Sequence, residues 1–244
     1  MVEIVNDAPQ RGPTPVDPVC ASHYPLDVPL FRQEKDSNAC GLYCLKMLYR
    51  YYGHDREVAE IAAALELIPT GVYAQELGYH LLQHGFGVTL VTRDTVRFPL
   101  IYGRMCAQEL HAAIAARLAA TPDGHKEGAF WRGLLRFRDA GGTFDLCMPT
   151  LEATIAPALQ CGHPVMVCLD AKTLYQFQDL ADGPVDERSY GQAGHYVILT
   201  ALDDHEVTIA DPSATFGGVN RYPRQRFLYA WYSFQAYTLL AEPR

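Results

Sequence analysis

Gln33-Glu34-Lys35-Asp36-Ser37-Asn38-Ala39-Cys40-Gly41-Leu42-Tyr43-Cys44-Leu45-Lys46-Met47-Leu48-Tyr49-Arg50-Tyr51-Tyr52-Gly53 runs from a polar loop into an apolar helix, with a cysteine at the joint. Leu42, Leu45, Leu48 and Tyr49, with Cys44 and Tyr52, recur at helical spacing, so Ala39 to Tyr52 reads as a helix that Gly53 stops. A thiol at a helix N-terminus faces unpaired backbone N–H groups and the positive end of the helix dipole. Both favour the thiolate.

Far downstream, Gly194-His195-Tyr196-Val197-Ile198-Leu199-Thr200 and Val207-Thr208-Ile209-Ala210-Asp211-Pro212 read as two strands that turn at Asp203-Asp204. In a hairpin centred on residue 203, His195 faces Asp211, with Cβ atoms roughly 4.5–5.5 Å apart. The carboxylate then accepts the Nδ1 proton and leaves Nε2 aimed at a thiol. Cysteine needs that partner, because a free thiol with a pKa of about 8.5 is mostly protonated at neutral pH. For the oxyanion formed on attack, the candidate donors are Gln33 and the Cys40 backbone N–H; losing one such donor typically costs about 2.7–4 kcal/mol. Each residue alone has a plainer reading: Cys40 and His195 as packing, Asp211 as a turn before Pro212. Four role-specific residue types in a consistent order carry the catalytic one.

The rest of the composition narrows the field. Hydrophobic residues make up 49% and charged residues 20%, as in an ordinary globular chain large enough for a substantial core. A formal charge of −8 opposes a nucleic-acid surface, which needs clustered Lys and Arg. The two arginine-rich stretches, Arg132 to Arg138 and Arg221 to Arg226, carry aromatics and read as solvated faces of packed segments. No run approaches the ~20 apolar residues of a membrane span, and Met1 to Pro29 lacks the apolar centre of a signal peptide. Seven irregularly spaced cysteines fit reduced thiols, so a cytoplasmic location is expected. Cys40 and Cys44 lack a second ligand pair at zinc spacing. Neither a metal nor a cofactor is called for.

Residues 1–29 hold six of the sixteen prolines and read as an extended arm, leaving 30–244 as one catalytic domain. Helices are expected near Glu57 to Leu65, Ala74 to His84 (with Thr70 or a neighbour as cap), Ala107 to Ala120 and Leu151 to Gln160. Short strands fall at 88–91 and 165–169, then at 195–202, 206–211 and 235–240, with a helical Phe227 to Trp231 between the last two. Residues 93–145 are the least regular part, and 121–145 read as loops or a mobile lobe. Helices first and strands last give an α+β plan, with N-terminal helices on a C-terminal antiparallel sheet.

Gln33, Asn38-Ala39-Cys40-Gly41-Leu42-Tyr43-Cys44-Leu45 and Tyr51-Tyr52-Gly53, followed by Gly194 to Thr200 and Ile209-Ala210-Asp211-Pro212, resemble the papain-like cysteine peptidases that remove double-glycine leaders from bacteriocins. The closer likeness is to their stand-alone relatives, the bacteriocin-peptidase-like cysteine proteases. Gln160-Cys161-Gly162-His163-Pro164-Val165-Met166-Val167 is similar to that family's helix-then-strand approach to the histidine hairpin, and the likeness spans about 33–91 and 151–238. It implies a papain-like fold with Cys40 as nucleophile, His195 as base, Asp211 orienting it and Gln33 as oxyanion donor. Gln33 stands one residue farther from the cysteine than the family pattern has it, and the 93–145 segment has no place in that pattern. The substrate implied is a peptide or acyl-bearing molecule, such as a carrier or precursor peptide. Hydrolysis of an amide through a Cys40 acyl-enzyme is the leading expectation. The alternatives are transfer of the acyl group to an amine or thiol on the same triad, and a binding module without turnover.

Overall fold

The computed structural model describes residues 25–179 and 193–244. Residues 1–24 of the expected arm, Cys20 among them, lie outside these. The described end of that arm is extended and anchored: Leu26 donates to the Thr200 carbonyl at 2.9 Å, and Val28 is buried.

One sheet organises the chain. Among the described residues its strands are β1 (Phe86–Thr92), β2 (Thr143–Leu146), β3 (Val165–Asp170), β4 (Gly194–Leu202), β5 (Glu206–Asp211), β6 (Gly218–Pro223) and β7 (Thr238–Pro243), ordered β2-β1-β7-β3-β4-β5-β6. The sheet is therefore not confined to the C-terminal half. The last strand inserts between β1 and β3, and β1–β2 is a parallel pair in an otherwise antiparallel ladder.

The unbroken apolar runs of β3 and β4 follow from burial on both faces. Met166, Cys168, Tyr196 and Ile198 point into a core shared with helices α1 (Cys40–Tyr51), α3 (Ala74–Gln83) and α5 (Lys126–Asp139). Their alternates Val165, Val167, Leu169, Val197 and Leu199 join a second core with Phe227 and Trp231 of α8 (Arg224–Ser233) and with Leu174 and Tyr175 of α7 (Ala171–Asp179). Between α1 and α3, the short α2 (Val58–Ala63) starts at a capping box of Glu57 and Glu60. No side chain caps α3, so Thr70 does not take that role. Residues 151–160 are helical as expected, although Leu151–Ile155 is a π-type turn that leads into α6 (Ala156–Gln160).

The reading of 121–145 as loops is corrected. After α4 (Ala107–Ala119), this segment forms α5 and β2. Phe130, Trp131, Leu134 and Phe137 make a buried stripe on α5. Its glycines and arginines, which suggested loop, serve helix packing. A Cβ at Gly133 would come within 2.5 Å of Glu76 Oε1 of α3, so a larger residue there would push the Glu76 carboxylate out of its place. Arg136 then pairs with the buried Glu76 at 2.8 Å, and Arg132 with Glu66 at 2.7 Å.

Candidate active site

Cys40 is the first residue of α1, where its own N–H and the next ones lack intrahelical acceptors. α1 sits against β4, and the Cys40 thiol meets the backbone N–H groups of Gly41 and Tyr196 together with the side chain of His195. His195 begins β4, across from Leu169 of β3, and is only 7% exposed. Its Nε2 lies 2.8 Å from Oδ1 of the fully buried Asp211 at the end of β5. The structure thus brings together the cysteine, histidine and aspartate expected from the sequence.

Two details of the expected geometry change. Nε2, not Nδ1, meets the carboxylate, which leaves Nδ1 as the ring nitrogen for the thiol. The hairpin register also differs: Leu202 pairs with Val207, which centres the turn between residues 204 and 205 and not on 203, and a bulge between Leu199 and Ala201 shifts the ladder by one residue beyond it. Ile198 pairs with Ala210, so continuing the register sets Asp211 opposite Val197, and the contact with His195 is diagonal. The two residues still share a face of the sheet, since strand side chains alternate with period 2.

Electrostatics couple the three groups. Burial alone would raise the Cys40 thiol, but the hydrogen bond and charge of His195, helped by the Tyr196 and Gly41 amides, bring its pKa below the ordinary value. Burial opposes a charged His195 too, yet its bonds to Asp211 and Cys40 raise it to about 10. Asp211 is lowered despite burial, by His195 and then by Tyr175 and the Ser213 N–H. These directions favour a thiolate–imidazolium pair held by a carboxylate. By contrast, burial drives the thiols of Cys44 and Cys168 well above the ordinary value.

Tyr175 is a site residue that the sequence reading missed. Its hydroxyl donates to Asp211 Oδ2 at 2.5 Å, and its ring stacks on Phe216 with centroids 4.4 Å apart. Nothing local in Lys172 to Tyr175 marks it; only the fold carries α7 back over the end of β5. Asp170 at the end of β3 accepts from Thr173 of α7 and from the Ala193 N–H just before β4, at 3.2 and 2.8 Å.

Gln33 lies beside the triad's carboxylate end, since its backbone N–H donates to the Pro212 carbonyl at 2.8 Å. A turn over Glu34 to Ser37, with Asp36 at φ 60°, separates Gln33 from Cys40. One amide hydrogen of Gln33 goes to the Ser37 carbonyl at 2.8 Å, and its Oε1 is buried without a partner. The nearby Asn38 gives its Nδ2 to the Pro69 carbonyl at 2.9 Å. Among the described residues no group of three or more His, Cys, Asp or Glu is arranged to hold a metal ion.

Similar solved structures include the peptidase domain of Streptococcus ComA, described as a bifunctional ABC transporter in a quorum-sensing pathway, at 13% identity and a TM-score of 0.46, covering 88% of this chain and 98% of that one. A double-glycine-motif protease from an AMS/PCAT transporter, in complex with its leader peptide, gives 13% and 0.47, covering 92% and 97%. A protein assigned as a C39-like peptidase from Bacillus anthracis gives 16% and 0.44, covering 89% and 96%. No curated protein matches the chain. The model of the Peptidase_C39 like family matches residues 25–239. With the cysteine, histidine and aspartate already assembled at one site, that match settles the affiliation: the chain belongs to the Peptidase_C39 like family, among the cysteine-peptidase-like proteins.

Proposed function

We propose that the protein is a cysteine peptidase that cleaves a peptide bond through an acyl-enzyme on Cys40. The observation that carries this reading is the continuous chain Tyr175–Asp211–His195–Cys40, which favours a thiolate at the start of α1. In the proposed reaction the Cys40 thiolate adds to the amide carbonyl. The oxyanion is met by the Cys40 N–H and by the second amide hydrogen of Gln33. His195, held by Asp211, gives its proton to the leaving amine, and then takes one from the water that releases the acyl group.

Mass spectrometry of the enzyme incubated with candidate peptides tests this. A shortened product and a transient acyl adduct on Cys40 are expected, both lost in Cys40→Ala. With an amine or thiol acceptor added, the same spectra show whether the acyl group ends on water or on the acceptor. A wild-type enzyme that forms neither adduct nor product, across peptides of varied sequence, would falsify the peptidase reading.

A further inference from the structure

Beside Cys40 opens a cavity of about 280 Å³, walled by Val72, Tyr73, Phe130, Tyr196, Phe234 and Tyr237. Apolar cavities of about half that volume hold a benzene ring. Glycine at this point of a substrate would leave the space empty.

The walls are fixed before any ligand arrives. Tyr196 Oη holds the Val72 carbonyl at 3.2 Å, and Gln75 Nε2 holds the Phe130 carbonyl at 2.9 Å. Tyr73 meets the Phe130 ring edge-on, with centroids 5.2 Å apart. Phe130 and the neighbouring Arg97 belong to the 93–145 segment. Among the described residues Arg97 is the one charged side chain in the lining, but its charge is already answered. Nη1 lies 2.9 Å from Asp94 Oδ2, Nη2 lies 3.5 Å from Glu127 Oε1, and the guanidinium lies over Phe130 at 4.7 Å. With two carboxylates on one guanidinium, an acidic side chain gains nothing here.

We propose that this cavity binds a bulky apolar or aromatic side chain close to the bond that Cys40 attacks, so that the substrates are peptides carrying such a residue rather than a glycine pair. The proposal rests on the peptidase reading for its setting and is tested apart from turnover. Dipeptidyl chloromethyl ketones alkylate a cysteine nucleophile without needing an acyl-enzyme to be released. Reagents carrying Gly-Gly, Phe-Gly, Gly-Phe, Leu-Gly and Asp-Gly are compared by their rate of labelling Cys40, read by peptide mapping.

A Phe or Leu at one of the two positions should label about ten- to a hundredfold faster than Gly-Gly, the gain expected for burying such a side chain. Asp-Gly should be no faster than Gly-Gly. Thr70→Trp at the exposed rim and Ala74→Phe in the wall should each collapse the ratio of apolar to Gly-Gly rates to about threefold or less, with thermal melts checking that each variant is folded. Gly-Gly labelling as fast as Phe or Leu, or an apolar preference that survives in both folded variants, would overturn the pocket. So would a Cys40 that iodoacetamide labels but none of the peptide reagents reaches. Selective apolar labelling with no peptide hydrolysed would leave the pocket standing and overturn the peptidase reading instead.

Discussion

Protonation at single residues separates this site from a chance grouping. Cys40 is lowered and His195 is raised to about 10, so the reactive pair should exist between those two values. Iodoacetamide alkylation of Cys40 should stay fast below the ordinary thiol value, declining only as pH falls through the lowered one. Peptide cleavage should also decline as pH rises through about 10, when the imidazolium loses the proton that the leaving amine needs. His195→Ala removes the largest lowering influence and leaves burial against the Tyr196 and Gly41 amides, so the alkylation midpoint should move upward; an unchanged midpoint would show that those amides suffice to activate the thiol. Asp211→Asn should keep the fold and reduce turnover by about 10–10³, less than the ~10⁴ of a serine triad, because the thiolate–imidazolium pair forms before substrate binds. Tyr175→Phe keeps the stack on Phe216 but withdraws one donor from that carboxylate, a loss of about tenfold, the worth of one hydrogen bond to a charged group. Steady-state kinetics on both variants check this, and a silent Asp211→Asn beside a dead Cys40→Ala would leave a dyad.

Elements hold those residues in place, and α1 shows how. A Cβ on Gly41 would come within 2.9 Å of Val72 Cγ1, 3.0 Å of Leu77 Cδ1 and 3.1 Å of Tyr196 Cδ2. The glycine beside the nucleophile therefore sets how closely the helix start seats on β4 and on the chain leading into α3. Gly41→Ala improves intrinsic helix propensity, yet it should lower the labelling rate of Cys40 more than it lowers the melting temperature. A variant as reactive as wild type would show that the seat has slack. The same elements mark how much the sequence disclosed. Residues 42, 45, 48 and 49 read correctly as one helix face, and the runs at 165–169 and 195–202 read correctly as strands, because local periodicity encodes both. Which ring nitrogen faces Asp211, the bulge between Leu199 and Ala201, and the contact from Tyr175 depend on pairings made after the chain has folded back on itself. The helix over 126–139 was missed for a different reason: Gly128 and Gly133 read as breakers by composition and are helix residues by packing.

Across the whole molecule, the two cores share the sheet as a common wall, and β3 and β4 contribute alternate side chains to each. β7 binds the N-terminal β1 to the C-terminal β3, so neither half owns a separate sheet. The nucleophile's helix rests on the first core, while Trp231 lies in the second and is fully buried. If the sheet joins them into one cooperative unit, damage on the far face must reach the site. Trp231→Ala should cost about 3–5 kcal/mol, which corresponds to a fall in amide protection on the order of 10²–10⁴ wherever exchange proceeds by global opening. Hydrogen exchange read by mass spectrometry should show that fall in α1, β3 and β4 as well as in α8. Phe137→Ala, from the first core, should lower protection in α8 in return. The edge strands β2 and β6, where Thr143, Asp145, Val219 and Arg221 are exposed, should exchange fastest in every variant and change least. Loss of protection confined to α8 in Trp231→Ala, with α1 unaffected, would mean that the cores open independently and that the catalytic half stands without its second layer.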